Sequence, residues 1–310
     1  MKKIISIFLM AAMTAGLLSS CSEDGVTING RDDFPTAVNG VEIKSAPQRV
    51  ICLSPSITEI IYELGSYTQV YGVSNDCDWP EEVSQKEKMG TASNPESEKI
   101  INANPDLVIV SGNLNYELNE SLKLRNIPVV SIEAAQNING LKDVYVSVAT
   151  LFAGKSTGQI NGETTYNNLI NKIKQEANTE GRDVKKAVFI PADGIIAYNG
   201  SFISDIMSLA GAQNPAEGPV PAGSDWAAYV ASLNPDYIFC SDDIVQNILA
   251  NPALAGTNAV KSGNVKGMAP AIFERQGGRI YEAVMEMYRA MYGADDSNSD
   301  AGISGVSSVA

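Results

Sequence analysis

Four cysteines, two tryptophans, an Asp242-Asp243 pair and a Gly154-Lys155-Ser156 triplet are the residues of this chain with distinctive chemistry, and its 310 residues include no histidine. A Ser/His/Asp hydrolase is therefore excluded, and a His-rich zinc or manganese site cannot be built. Gly154-Lys155-Ser156 has the form of the end of a phosphate-binding loop, but the earlier glycine of that motif would fall at Ala149 and no strand precedes it. Asp242 and Asp243 have no third acid nearby to complete a metal site and read as a solvated loop. Cys52 and Cys240 sit inside apolar runs and read as small buried hydrophobes, whereas Cys77 falls in a loop, open as a ligand contact, a partner for Cys52 or a neutral position. What remains is binding chemistry. Trp79 and Trp226 both fall outside the expected core strands, and Tyr198 sits beside an Asn199-Gly200 turn. Such rings offer a large apolar face and a polar handle to a ligand.

The elements that must position these side chains are two similar halves and a strut. Asn104-Pro105-Asp106 runs into the apolar strand Leu107 to Val110, and Asn234-Pro235-Asp236 runs into Tyr237 to Cys240. Each is a helix end, a turn and a buried strand. Between them, residues 156–179 carry Ile160, Leu169, Ile170 and Ile173 among polar residues, which predicts one long, mostly solvated helix of roughly 36 Å capped by Ser156. The first half reads as strands at 50–53, 70–73, 107–110 and 127–132 with helices between; the second restarts at Ala187 and closes on an amphipathic helix from Phe273 to Tyr292. The fold class is α/β: two parallel-sheet lobes, residues 37–155 and 181–293, joined by a rigid helix over 156–180. Ligands of such sheets lie beyond the carboxyl ends of the strands, so the loops at 54–58, 75–80, 91–97 and 111–115 share a rim. Ser54, Asp76, Cys77 and Trp79 are the candidate contacts there.

The formal charge of −14 argues against a nucleic-acid partner, and 44% hydrophobic with 19% charged residues is ordinary for a globular protein. Lys2 and Lys3 precede an apolar run from Ile4 to Leu18, the pattern of a secretory signal over residues 1–20. Leu18-Ser19-Ser20-Cys21 resembles a bacterial lipoprotein box, which implies lipidation at Cys21 and anchoring to a membrane. Residues 21–36 then read as a tether and 294–310 as a disordered tail. The acidic Glu23 and Asp24 also resemble a surface-export signal of Bacteroidetes lipoproteins.

The runs from Arg49 to Glu59, Gly72-Val73-Ser74 with Cys77-Asp78-Trp79-Pro80, Glu98-Lys99-Ile100, and Phe273-Glu274-Arg275 with Arg279-Ile280 resemble the periplasmic cobalamin-binding proteins of ABC importers. The wider family also carries siderophores and haem. The resemblance implies a monomer without catalytic activity or cofactor, which holds a corrinoid between two lobes and delivers it to a permease with little hinge motion. It adds Phe273 and Arg275 to Ser54, Asp76, Cys77, Trp79, Tyr198 and Trp226 as expected ligand contacts. It also implies that an acid on each lobe meets permease arginines: Glu98 on the first, with Asp225 the nearest acid on the second. Pocket positions that are aromatic in a cobalamin binder are Asp76, Ala92, Ser111 and Ala222 here, so a corrinoid would be gripped differently. Haem or a ferric siderophore as ligand, and a surface-exposed corrinoid scavenger, are the competing readings.

Overall fold

The structure is a computed structural model that describes residues 33–220 and 223–293. The first lobe is a five-stranded parallel sheet of β3 (Val50–Cys52), β4 (Val70–Val73), β5 (Glu87–Lys88), β6 (Leu107–Val110) and β7 (Val129–Ser131), in the order β5-β4-β3-β6-β7. The second is a four-stranded parallel sheet of β8 (Lys185–Ile190), β9 (Ala212–Gln213), β10 (Tyr237–Ser241) and β11 (Val265–Met268), in the order β11-β10-β8-β9. A small antiparallel hairpin, β1 (Thr36–Val38) with β2 (Val41–Ile43), precedes both. The first lobe carries helices α1 (Pro55–Glu63), α2 (Ser97–Asn102) and α3 (Tyr116–Lys123). Then come α4 (Ile138–Ala153) and α5 (Lys155–Glu176). The second lobe carries α6 (Phe202–Leu209), α7 (Trp226–Leu233), α8 (Val245–Ala250), α9 (Asn258–Lys261), α10 (Pro270–Glu274) and α11 (Ile280–Tyr292).

Strands β3, β6 and β10, and β8 from Ala187 on, are apolar on both sides because both faces of each sheet are covered there. In the first lobe Val50, Cys52, Leu107, Ile109 and Val130 point to one core and Ile51, Leu53, Val108 and Val110 to the other. In the second, Ala187, Phe189 and Phe239 join the first core, while Val188, Ile190, Ile238 and Cys240 face a third. The first core is continuous from Ile57 and Ile60, through Tyr145, Leu151, Tyr166 and Ile170 of the two long helices, to Phe202, Phe273 and Met287. Apolar packing therefore runs without a break from lobe to lobe.

The repeated Asn-Pro-Asp unit has one structural meaning in both lobes. Asn104 and Asn234 both adopt the left-handed conformation, with φ of 47° and 45°, and end the preceding helix. The aspartate two residues on then clips the neighbouring strand. Asp106 accepts hydrogen bonds from the backbone N–H of Gln48 (2.6 Å) and Arg49 (2.9 Å), at the start of β3. Asp236 accepts one from Lys186 (3.3 Å) in β8.

Two expectations change. The strut is a helix pair, because α4 and α5 pack against each other along Gly158 and Gly162: an added Cβ at Gly158 would lie 2.4 Å from Thr150 Cα, and one at Gly162 2.5 Å from Val146 Cα. Its start is set by Gly154, at φ 80°, with Asp33 accepting from Thr157 N and Oγ1 (both 2.8 Å), so Ser156 is not the cap. The helix expected from Phe273 to Tyr292 is broken between α10 and α11, where Gly277 and Gly278 interrupt it and the Gly278 N–H donates to Glu63 Oε1 (2.6 Å) rather than along a helix.

Candidate functional site

The loops beyond the carboxyl ends of the strands form a rim on each lobe. On the first, Ser54 lies two residues past β3 and caps α1: its Oγ accepts from Ile57 N (3.4 Å), and Pro55 occupies the first helical turn. This serine is buried as a cap. The loop leaving β4 is pinned residue by residue. Asn75 N donates to Gly90 O (2.7 Å), Asp76 Oδ2 accepts from Ala92 N (3.0 Å), and Lys88 Nζ donates to Cys77 O (2.6 Å). The Cys77 thiol lies beneath, 3.4 Å from Thr58 Oγ1 and 3.6 Å from Ser74 Oγ, and burial pushes its pKa up. Cys52, Cys77 and Cys240 are all buried free thiols, and burial raises Cys52 to about 12.

Beyond the pinned part stands Trp79, 46% exposed, with the guanidinium of Arg279 5.3 Å from its ring centre. Arg279 and Arg275 belong to the segment between α10 and α11, which crosses from the second lobe onto the first. Arg275 donates to Glu59 Oε1 (3.1 Å), to both carboxylate oxygens of Asp78 and to Asp76 O (3.2 Å). Gln276 exchanges two hydrogen bonds with the backbone of Ala135, at 2.5 and 2.8 Å. Glu63 takes the Gly278 N–H and the Tyr145 hydroxyl, at 2.6 and 2.5 Å. The Arg275 hydrogen bonds hold Asp78 below the usual carboxylate range. Glu59 goes the other way: burial outweighs Arg275 and Arg279 and pushes it up to about 7, with Oε2 left without a partner among the described residues.

On the second lobe Tyr198, 38% exposed, and Ile195, 58% exposed, stand in the loop leaving β8. Trp226, half-buried, begins α7 and lies against Gly194 of that same loop, where a Cβ would be 3.6 Å from the indole. Asp225 caps α7, accepting from Ala227 N (3.0 Å) and Ala228 N (3.1 Å). Glu98 is exposed in the first turn of α2.

Of the residues singled out from the sequence, the structure brings Asp76, Cys77, Trp79 and Arg275 together at the lobe junction, and Tyr198 and Trp226 onto the second rim. Phe273 is in the core, its ring edge-on to Phe189 at 4.8 Å, and Arg275 is committed to carboxylates. Cys21 and Ala222 lie outside the described residues, as do the signal segment, most of the tether and the tail. Tyr116, 76% exposed, and Ile195 are rim side chains that the sequence reading missed. Tyr116 directly follows the 111–115 loop already assigned to the rim, which was the available signal. Among the described residues no group of acids and cysteines could hold a metal ion.

Residues 50–271 match the family described as periplasmic binding protein. This chain belongs to that family. It is accordingly a binding protein rather than an enzyme, of a family that works outside the cytoplasm with an ABC permease and a small transported ligand. It is 28% identical to YvrC of Bacillus subtilis, an uncharacterised ABC transporter substrate-binding lipoprotein, over 94% of this chain and 98% of that one. It is 22% identical to the petrobactin-binding protein YclQ of B. subtilis over 93% and 98% of the two chains. The vitamin B12-binding protein of Vibrio campbellii is 26% identical over 64% of this chain and 73% of its own. Among solved structures, a periplasmic solute-binding protein of Staphylococcus epidermidis superposes with a TM-score of 0.66 at 23% identity, covering 80% of this chain and all of its own. The haem-binding protein HutB of Vibrio cholerae also gives 0.66, at 19% identity, over 79% of this chain and 99% of its own. These likenesses carry the fold.

Proposed function

We propose that this chain captures a broad, largely apolar metal chelate, a corrinoid, between its two rims and hands it to an ABC permease from a lipid anchor at Cys21. One observation carries the reading. Four of the nine exposed large apolar side chains among the described residues stand beyond the carboxyl ends of strands, Trp79, Ile195 and Tyr198 in loops and Tyr116 at the start of α3. Leaving such surface in water is unfavourable by about 25 cal/mol per Å², and covering it with a flat apolar disc recovers that. Arg275 and Arg279, the cations at the junction, are held by Glu59, Asp78, Glu282 and the Trp79 ring. A neutral ligand with amide side chains suits this surface better than a polyanion does.

Haem or a ferric siderophore is the second reading, favoured by full-length similarity to a petrobactin binder and by the fold shared with HutB. Calorimetric titration with cyanocobalamin, haemin and ferric petrobactin separates the two. The corrinoid reading expects saturable heat with cyanocobalamin and quenching of tryptophan emission. Trp79→Ala should then weaken binding by about 1–3 kcal/mol, the scale of losing one buried aromatic anchor. Heat with haemin or the siderophore and none with cyanocobalamin would overturn the corrinoid assignment, and unchanged affinity in Trp79→Ala would remove that ring from the site.

A further inference from the structure

We infer that the Trp79 platform is assembled across the lobe junction, with Arg279 and Arg275 of the second lobe as its positioning residues. The inference rests on the proposed role of Trp79 in ligand capture and concerns what orients the ring.

Trp79 is carried by an irregular loop, with no regular element on either side of it between β4 and residue 81. Before the ring, hydrogen bonds from its own lobe stop at Cys77, whose carbonyl takes Lys88 Nζ and whose thiol rests on Thr58 and Ser74, and they resume after it at Pro80, whose carbonyl accepts from Val83 N (2.9 Å). Between these two anchors the polar contacts that hold Asp78 and the ring come from the other lobe. The Arg275 guanidinium reaches the carbonyl of Asp76 and both carboxylate oxygens of Asp78, bracketing the two polar residues before the ring. The Arg279 guanidinium then lies over the indole at 5.3 Å, a cation–π contact that occupies one face. The ring remains 46% exposed, so surface is left for a ligand.

Arg275 is itself fixed by several acceptors, whereas Arg279 has one ion-pair partner and a buried Nε without a hydrogen-bond partner among the described residues. Glu59 holds Arg275 from beneath, Glu282 lies 3.6 Å from Arg279, and Gln276 and Gly278 between them are tied to Ala135 and Glu63. A planar guanidinium held by several acceptors is a rigid support, which a lysine ammonium reproduces only as a point charge. Separating the lobes at this segment would free the loop after Cys77 and release the ring. Ligand capture and lobe contact are thereby coupled through one side chain.

The test uses the full mature chain with Trp226→Phe, so that Trp79 is the only tryptophan. In this background Arg279→Gln should shift Trp79 emission to the red and raise its quenching by acrylamide about twofold, while the melting temperature stays within a few degrees. Arg279→Lys should restore part of both signals. Cyanocobalamin affinity should fall three- to tenfold in Arg279→Gln, and less in Arg279→Lys. Emission and acrylamide quenching unchanged in Arg279→Gln would overturn the inference, with or without ligand. A changed Trp79 environment with cyanocobalamin affinity unaltered in both Arg279→Gln and Trp79→Ala would instead sustain the positioning role and remove the ring from the ligand site, so the two failures are distinguishable.

Discussion

Glu59 is the most perturbed carboxyl of the junction, and its sign is decided by desolvation. Its side chain is buried beneath Arg275, yet that arginine also serves Asp78, which is the more exposed and better-solvated anion. Burial therefore wins and raises Glu59 to about 7, against an unfolded value near ~4.3. The folded state holds the proton more tightly, so the stabilising contribution is complete below about pH 4.3 and is lost as pH rises through about 7. Glu63, also raised by burial, adds to the same limb, whereas Asp33 and Asp78, both lowered, lose their contributions only as pH falls below the usual carboxylate range. Thermal melts should thus show stability declining between about pH 5 and pH 7.5. Glu59→Gln, which keeps an acceptor for Arg275 without the charge, should flatten the Glu59 part of that slope, on the order of 2–3 kcal/mol. A slope identical in wild type and variant would show that Glu59 is ionised throughout. Little of this was legible in the sequence: Glu59 and Arg275 stood in runs that pointed to a family, but residues so far apart in the chain meet only through the break after α10. Ser54 and Phe273 mislead for a related reason, since a capping serine and a core phenylalanine look the same in sequence as a rim serine and a rim aromatic.

Among the elements, the α4–α5 pair shows where periodicity succeeds and where it fails. A helix over 156–179 was readable from its polar spacing, and the structure has it at Lys155–Glu176. Its partner face was not readable, because the contact is made by Gly158 and Gly162, which contribute no apolar signal. The same polarity that suggested a mostly solvated helix is produced by a helix lying backbone to backbone on its neighbour. The parallel sheets were legible for the opposite reason: strands covered on both faces have unbroken apolar runs. Gly162→Ala makes the argument quantitative. Alanine is the better helix former by about 1 kcal/mol, but its Cβ would sit 2.5 Å from Val146 Cα and 2.7 Å from Val146 N, backbone atoms that yield only if the helices separate. Overpacking therefore outweighs propensity, and chemical denaturation should show Gly162→Ala less stable by about 1–2 kcal/mol, with Gly162→Val worse. A stabilised alanine variant would mean that the helices are farther apart than this geometry.

At the scale of the whole molecule, a continuous core and a hydrogen-bonded junction leave the two lobes little freedom to swing, so what a permease meets is close to a fixed arrangement of surface groups. The internal repeat defines which groups correspond. Counting back six residues from each left-handed asparagine reaches Glu98 on the first lobe and Ala228 on the second, and both are exposed. The neighbouring Lys99 is engaged by Glu87 at 3.3 Å and by Lys88 O at 2.6 Å, which leaves the Glu98 carboxylate free of it. On the second lobe the nearest acid, Asp225, spends one carboxylate oxygen on the cap of α7. If the permease is engaged through these helix starts, docking is asymmetric and Glu98 is its principal charge. An exposed ion pair contributes only about 0–1 kcal/mol, so its loss acts on encounter and orientation more than on the stability of the complex. Glu98→Ala should accordingly slow ligand delivery in vesicles containing the permease, more so at low salt than at high, with the ligand affinity of the free protein unchanged. Ala228→Glu, which gives the second lobe the acid that the repeat predicts, should recover part of the rate in the Glu98→Ala background. Delivery by Glu98→Ala at the wild-type rate across that salt range would show that the permease reads some other face of the molecule.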